Sequence, residues 1–183
     1  NNNNNIYWIF RKKKGGIGSA HKRAIQWCYA RKYKKIISMD SDGTHDPKYI
    51  PEILDKSNKY DIVITSRFSK KKSLSDWPAH RKFLTYLRLL ICKLMLNIDL
   101  DASGAFRCFS TKKIELNDLI KIKSNHYDYF FESIYVLSKK KYLFYEVPIK
   151  LPYRKLGESK MNFLHIVISV ISLLRIKFNI AIK

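Results

Sequence analysis

Apolar positions along this chain form two kinds of pattern, short runs and stretches with helical spacing. Short runs of β-branched and aromatic residues are typical of strands, whereas apolar residues three and four positions apart are typical of amphipathic helices. The pattern predicts strands at 6–10, 35–39, 61–67 and 142–149, and a small-residue turn that enters a further strand at 101–109. It predicts one helix that follows a Gly-rich loop and ends at about 32, and other helices at 47–56, 78–97, 112–121 and 127–138. The last predicted element is an apolar segment at 162–178.

The succession of these elements indicates the fold class. A strand, a helix and a second strand follow one another between 35 and 67, an order that is typical of α/β proteins with a parallel, doubly wound sheet. Pro148 cannot donate a hydrogen bond to a neighbouring strand, so we expect its strand at an edge of the sheet. The 183 residues contain no internal repeat and no linker that would divide them, and their number suits one well-cored domain.

Two acidic residues, Asp40 and Asp42, directly follow the predicted strand at 35–39. In an extended chain their side chains point to the same side, at the sheet edge where α/β proteins bind ligands. Paired carboxylates suit Mg²⁺ or Mn²⁺, which takes further ligands from water and substrate phosphates. The same stretch also suits an ordinary Asp-Gly turn in which Asp46 caps a helix begun by Pro47. Both interpretations stay open on these residues alone.

Two other stretches carry polar groups toward the same chemistry. The predicted strand at 61–67 ends in Ser66 and Arg67, which it delivers to the carboxyl edge of the sheet. The basic, Gly-rich stretch at 11–20 resembles loops that approach phosphates through backbone N–H groups. It matches neither the Walker nor the dinucleotide fingerprint, and a flexible turn explains it equally well.

The net charge of the chain indicates which chemical classes of partner it can bind. Thirty-six Lys and Arg against fifteen Asp and Glu give a net charge of +21, which favours an anionic partner such as nucleic acid, an acidic membrane surface or a phosphorylated substrate. Only nine of the cations are Arg, so part of the charge is a diffuse bias toward Lys.

The cysteines and the hydropathy of the chain indicate the cellular compartment in which the protein works. The three cysteines are far apart in sequence, which indicates reduced thiols in a cytosolic compartment. The longest apolar run, at 166–174, is too short to span a bilayer, and the first residues lack the features of a secretory signal. We therefore expect that the chain does not cross a membrane by itself. The basic, amphipathic helix at 78–97 is either a packed surface helix or one that lies on a membrane.

An ordered set of short motifs resembles one known family. Each motif is weak alone, but the set runs through nearly the whole chain in order, and it is similar to the family 2 glycosyltransferases of GT-A fold, especially the polyprenyl- (dolichyl-) phosphate mannosyltransferases. The matching residues are Arg11 with 15–20, 39–47, 65–67, Arg81, 103–107, Phe131 with Glu132, 146–149, and Arg154 with 157–160.

The resemblance implies a fold and a reaction. The fold would be a three-layer α/β/α sandwich with a mainly parallel sheet, with a catalytic domain at 1–160 and an amphipathic, membrane-interfacial segment at 161–183. The reaction would move a sugar from a nucleotide diphosphate to a polyprenyl or dolichyl phosphate with inversion at the anomeric carbon. Its cofactor would be Mg²⁺ or Mn²⁺.

The resemblance also assigns roles to residues. Asp42, Arg67 and Arg81 would be catalytic, the arginines by receiving the acceptor phosphate. The metal ligands would be Asp40, Asp42 and Thr44, and the substrate would further contact Asp40, Thr85, Ser103, Glu132, Arg154 and Lys160. Alternatives stand beside these roles, among them His45 as a local hydrogen-bonding residue, Arg107 as a structural one, and Glu132 as the partner of a nearby Lys or a turn cap.

The resemblance leaves other points open. The family normally begins with a Pro-x-Tyr-Asn-Glu-like strand and a second acidic strand, which nothing here matches, so we expect an N-terminally truncated domain. The donor would be GDP-mannose, with UDP-glucose or a UDP-amino sugar as the rival. A catalytically inactive, membrane-peripheral homologue is a further alternative. We expect a peripheral protein on the cytosolic face of a membrane, with or without an anchoring subunit, and no nucleic-acid partner, because no recognisable nucleic-acid-binding module is present.

Overall fold

The computed structural model describes residues 5–153 and 163–178. Six helices, one short 3₁₀ turn and four strands alternate along these residues. In chain order they are α1 (Ile17–Ala30), β1 (Lys35–Ser38), the 3₁₀ turn Pro47–Tyr49, α2 (Ile50–Lys59), β2 (Ile62–Ser66), α3 (Ala79–Leu96), β3 (Arg107–Ser110), α4 (Leu116–Ile120), α5 (Tyr129–Lys139), β4 (Phe144–Pro148) and α6 (Phe163–Phe178).

The four strands form one mixed sheet in the order β1-β3-β2-β4. β3 is antiparallel to both β1 and β2, whereas β2 and β4 are parallel. Three strands therefore share one direction, as expected, but the strands on either side of α2 are not neighbours, because β3 lies between them. The edge position predicted for the strand that contains Pro148 is confirmed within the described sheet, where β4 is the last strand.

Alternating side chains of the central strand separate two apolar layers. In β2, Ile62 and Ile64 face a core that also contains residues of α1, α5 and α6. Val63 faces the other way, into a core that includes Ile53 of α2. Helices thus cover both faces of the sheet, which is the predicted three-layer α/β/α arrangement.

The structure corrects one predicted element and refines two others. Residues 6–10 form no strand, and side chains such as Trp8 and Phe10 are exposed. The helix predicted at 47–56 begins as the 3₁₀ turn and continues to Lys59. Asp46 caps it as expected, since its carboxylate accepts from the Lys48 N–H at 2.9 Å. The helix predicted at 112–121 is confined to the five residues of α4.

Arg107 joins the sheet to α5 from a fully buried position. Its guanidinium donates to the carbonyls of Ala102, Gly104 and Phe130 and to the Ser133 hydroxyl at 2.7–2.9 Å. A buried cation requires such complete hydrogen bonding. These contacts agree with the structural role that the sequence suggested for Arg107.

His21 makes stability depend on pH. It packs against the rings of Tyr129 and Phe130, and burial, aided by the positive charge of Arg107, lowers the pKa of His21 from 6.5 to about 4. The unfolded chain therefore binds a proton more readily than the folded chain between these values. We expect the free energy of unfolding to fall as the pH is lowered from about 6.5 to about 4.

Urea unfolding at pH 7.5 and pH 5 measures this dependence. The loss between the two pH values should be smaller in His21→Phe than in the parent chain, whereas His80→Phe, which removes an exposed imidazole, serves as the control. An equal pH dependence in His21→Phe and the parent would contradict the assignment.

Two helices leave apolar side chains in solvent. On α3 these include Phe83, Leu90 and Leu94, and on α6 they include Ile171 and Phe178. The two helices pack against each other, so their exposed residues belong to one region of the surface. No helix within the described part of the chain is long and apolar enough to cross a membrane.

Candidate active site

The polar residues singled out from the sequence meet at one edge of the sheet. β1, β2 and β4 all end there, because β3 is antiparallel to β1 and β2 and β4 is parallel to β2. β3 begins at this edge, where Arg107 pairs with Ser38 and Ile64. The turn at 101–106 that precedes β3 therefore lies beside the loops that follow the other strands.

The loop after β1 fixes the carboxylate of Asp42. One of its oxygens accepts hydrogen bonds from both the backbone N–H and the hydroxyl of Thr44, at 3.0 and 2.6 Å. This Asx turn orients the side chain through a residue two positions along the chain. The Thr44 hydroxyl, predicted as a metal ligand, donates its proton to Asp42 in this arrangement and so orients that carboxylate.

The buried side chain of His45 stabilises the same loop through a hydrogen bond. Its Nδ1 accepts the backbone N–H of Asp40 at 2.8 Å, so the ring is neutral with its proton on Nε2. Burial lowers the pKa of His45, against the opposing effect of Asp40 and Asp42, and Arg67 lowers it further. The local hydrogen-bonding role expected for His45 is confirmed.

A cleft of about 480 Å³ opens beside the acidic loop. Asp40 lines it with a side chain that is 40% exposed. The opposite wall comes from the segment before α3 and the segment after β4, which contribute Asp76, Lys150 and Pro152. The cleft is therefore bounded by loops from three elements of the same sheet edge.

Arg67, at the end of β2, is held by Asp101. Its Nε donates to Asp101 Oδ2 at 2.7 Å, its backbone N–H donates to the same oxygen at 3.1 Å, and its Nη2 donates to Ser103 Oγ at 3.2 Å. Burial alone would raise the pKa of Asp101, but the charge and hydrogen bonds of Arg67 hold it below its ordinary value. Gly104 approaches this guanidinium closely, since a Cβ there would lie 3.4 Å from Arg67 Nη2.

Arg81 and Thr85 share a face of α3, as their spacing predicted. The Arg81 guanidinium lies over the Tyr153 ring, 5.4 Å from its centroid. The Tyr153 ring in turn contacts Trp77, whose indole N–H donates to the Leu151 carbonyl at 3.0 Å. Arg81 therefore adjoins the wall that the segments before α3 and after β4 contribute to the cleft. Thr85 is buried below it.

Two predicted substrate contacts have other partners in the structure. Ser103 Oγ accepts from Arg67 and Arg88 and donates to Asp101, which uses its two lone pairs and its proton. Its contacts give it a positioning role between the arginines. Glu132 accepts from two backbone N–H groups and from the hydroxyl of Ser124, and it forms an ion pair with Arg175 at 2.8 Å. This is the alternative that the sequence left open, a turn cap paired with a cation.

Two predicted residues, Arg154 and Lys160, lie outside the described residues. Three further residues of this region were not predicted from the sequence. Asp101 and Arg88 take part in the cluster around Ser103, and Glu146 Oε1 accepts the backbone N–H of Asp101 at 2.6 Å. A signal did exist for Arg88, which is seven residues after Arg81 and so lies on the same side of the helix.

The donor set of the acidic loop fits a hard cation. Within the described residues no group of three or more His, Cys, Asp and Glu side chains is placed to hold a metal ion. Two carboxylates beside an open cleft leave coordination positions for water and phosphate oxygens, which is how Mg²⁺ is usually bound. Asp40 and Asp42 would hold the ion, with most of the shell coming from the substrate.

Comparison with known proteins identifies the family. The chain is 30% identical over 158 residues to an undecaprenyl-phosphate mannosyltransferase from Micrococcus luteus, covering 86% of this chain and 65% of that protein. It is 26% identical over 159 residues to a polyprenol monophosphomannose synthase from Mycolicibacterium smegmatis, covering 86% of this chain and 60% of that protein. The chain thus spans somewhat less than two thirds of these relatives. Residues 1–116 match the sequence profile of Glycosyl transferase family 2. Since this match covers more than half of the 183 residues, the chain belongs to glycosyl transferase family 2.

Proposed function

We propose that this chain carries the active site of an inverting, metal-dependent transferase that moves mannose from GDP-mannose to a polyprenyl or dolichyl phosphate. The observation that carries the proposal is that the acidic loop of Asp40 and Asp42 and the end of β2 with Arg67 lie at the same edge of the sheet, where Asp40 lines a cleft. Both relatives are named for the formation of a mannosyl lipid phosphate, which supports the same donor sugar and acceptor class here.

The reaction needs little acid–base chemistry from the protein. An oxygen of the acceptor phosphate is already anionic near neutral pH and forms the new bond to the anomeric carbon. The bond from that carbon to the nucleoside diphosphate breaks, and the diphosphate leaves with the electron pair. Catalysis therefore depends on alignment of the two substrates and on stabilisation of the charge that develops on the leaving group.

The residues divide these tasks. Arg67, fixed by Asp101, and Arg81, placed over Tyr153, bind the acceptor phosphate, together with Thr85 on the same face of α3 as Arg81. Asp40 and Asp42 would hold the divalent cation, which would supply positive charge beside the departing diphosphate. Arg154 and Lys160 remain predicted contacts of the leaving pyrophosphate.

A transfer assay tests the proposal and the choice of donor. Radiolabelled GDP-mannose and UDP-glucose are each incubated with the chain, a polyprenyl phosphate and Mg²⁺ or Mn²⁺, and lipid-linked sugar is extracted. The Micrococcus luteus protein serves as the positive control for the assay. We expect mannose transfer that EDTA abolishes. Transfer of glucose alone would mean that the donor is UDP-glucose and not GDP-mannose. The absence of any transfer or nucleotide-sugar binding would favour an inactive homologue.

We further propose that the exposed apolar region on α3 and α6 rests on the membrane that contains the acceptor. Phe83 and Leu94 are 65% and 71% exposed, and Lys82, Lys93 and Lys177 accompany the apolar residues on the two helices. Apolar side chains edged by cations suit the interface of an anionic bilayer. The protein would then work peripherally on the cytosolic face, with any anchoring subunit as an additional partner.

Vesicle flotation measures this association. We expect the chain to float with vesicles that contain anionic lipid, and the double variant Phe83→Glu/Leu94→Glu to bind about tenfold less, because two charges must enter the apolar boundary. Leu54→Glu is the matched control, since Leu54 is an exposed leucine of α2. Equal binding of the double variant and the control would contradict the assigned surface.

A further inference from the structure

Two arginines converge on a single hydroxyl near the acceptor side of the site. Arg88 Nη2 donates to Ser103 Oγ at 2.8 Å, and Arg67 Nη2 donates to the same oxygen at 3.2 Å. The proton of this hydroxyl goes to Asp101 Oδ1 at 3.1 Å. With both lone pairs and its proton engaged, Ser103 links the two guanidinium groups into one rigid unit.

The unit brings two guanidinium groups together around one aspartate. The oxygens of Asp101 bond to Arg67 and to Ser103. Burial and the nearby charge of Arg67 lower the pKa of Arg88 to about 10, against the opposing effect of Asp101, so Arg88 stays protonated at neutral pH. Glu146 accepts the Asp101 N–H, and burial raises its pKa.

The like charges of Arg67 and Arg88 disfavour each other, which costs folding free energy. Such a cost is typical of functional sites, where residues are retained for a ligand and not for stability. Arg88 also shares the face of α3 that carries Arg81 and the buried Thr85. The second guanidinium group thus lies on the same helix face as the residues proposed to receive an anion.

We infer that Arg88 is a positioning residue for the acceptor phosphate: through Ser103 it fixes the guanidinium of Arg67, and its positive charge, added to that of Arg67, favours a doubly charged phosphate over a singly charged one. The inference rests on the proposed function, since it concerns the same acceptor. The ligand class is a prenyl phosphate monoester, whose second ionisation occurs near pH 6–7.

Calorimetric binding of geranyl phosphate, a short and soluble prenyl phosphate, provides the test. We expect Arg88→Met to raise its dissociation constant about tenfold at pH 8, because the charge-assisted support of Arg67 is lost, and by less at pH 5, where the ligand carries one charge. Arg88→Lys keeps the positive charge but lacks the planar, multi-donor geometry of the guanidinium group. This variant should therefore recover part of the lost affinity. Arg23→Met removes one exposed arginine from α1 and should leave binding unchanged.

The melting temperature separates positioning from simple structural support. Arg88→Met should melt at or above the temperature of the parent chain, since burial and the like charge of Arg67 both disfavour the Arg88 cation. In the transfer assay the variant should raise KM for the lipid phosphate and leave KM for the nucleotide sugar within about twofold.

The outcomes distinguish the two proposals. If the parent chain does not bind geranyl phosphate, the proposed function fails. If the parent binds it and Arg88→Met binds it equally well, the function stands and the role of Arg88 is wrong. A fall in melting temperature with equal weakening of both substrates would make Arg88 a structural residue and would also overturn the inference.

Discussion

The Asp42→Asn variant is expected to transfer sugar at least about 100-fold more slowly than the parent chain, because one of the two charges proposed to hold the cation is lost. Asparagine keeps the side-chain oxygen that accepts from the N–H and hydroxyl of Thr44. The Asx turn therefore persists, and the loss reports charge and not misfolding. Initial rates at saturating GDP-mannose, over a series of Mg²⁺ and Mn²⁺ concentrations, measure the effect.

Asp46→Asn is the matched control for that experiment. Asp46 lies in the same loop, lines the same cleft and pairs with Lys48 at 2.5 Å. Asparagine still caps the following helix, so this variant removes one carboxylate and little else. We expect less than a threefold change. If Asp42→Asn keeps more than a tenth of the parental rate at every metal concentration, the role assigned to Asp42 is wrong.

Replacing Arg107 by methionine is expected to lower the free energy of unfolding by about 3–5 kcal/mol, since buried acceptors lose a charged donor that no other group replaces. The carbonyls of Ala102, Gly104 and Phe130 would all be left without this partner. These carbonyls belong to the turn before β3 and to α5, so the turn that carries Asp101 and Ser103 should loosen as well. Urea unfolding monitored by tryptophan fluorescence measures the change.

Arg23→Met provides the comparison for Arg107. Arg23 is an exposed arginine of α1, and its replacement should change the free energy of unfolding by less than about 0.5 kcal/mol. A loss below about 1 kcal/mol in Arg107→Met would show that the buried contacts of this residue are worth far less than their number implies.

The acidic loop illustrates what local sequence can predict. Asp40 and Asp42 directly follow a short apolar strand, and strand direction alone brings them to the ligand-binding edge. The cap at Asp46 and the helix after Pro78 also follow from neighbouring residues. In each case the physical cause lies within a few positions of the chain, so the pattern was sufficient.

The partners of Arg67 could not be predicted from local sequence, because they are far from it along the chain. Asp101 and Ser103 are 34 and 36 positions away, and nothing in the local pattern specifies that pairing. The insertion of β3 between β1 and β2 escaped prediction for the same reason, because strand neighbours are chosen by the whole sheet. At 6–10 an apolar run of strand-like composition forms no strand, which shows that composition alone does not supply a hydrogen-bonding partner.

The two sides of α3 have a bearing on acceptor selectivity. One side presents Arg81 and Thr85 to the site, and the other exposes Phe83 and Leu94. A helix with its side chains is about 10 Å thick, so a phosphate that reaches Arg81 from a bilayer beneath α3 would rise by roughly that distance. Only the headgroup and the first isoprene unit would then leave the lipid, and the enzyme would be indifferent to the number of isoprene units that stay behind.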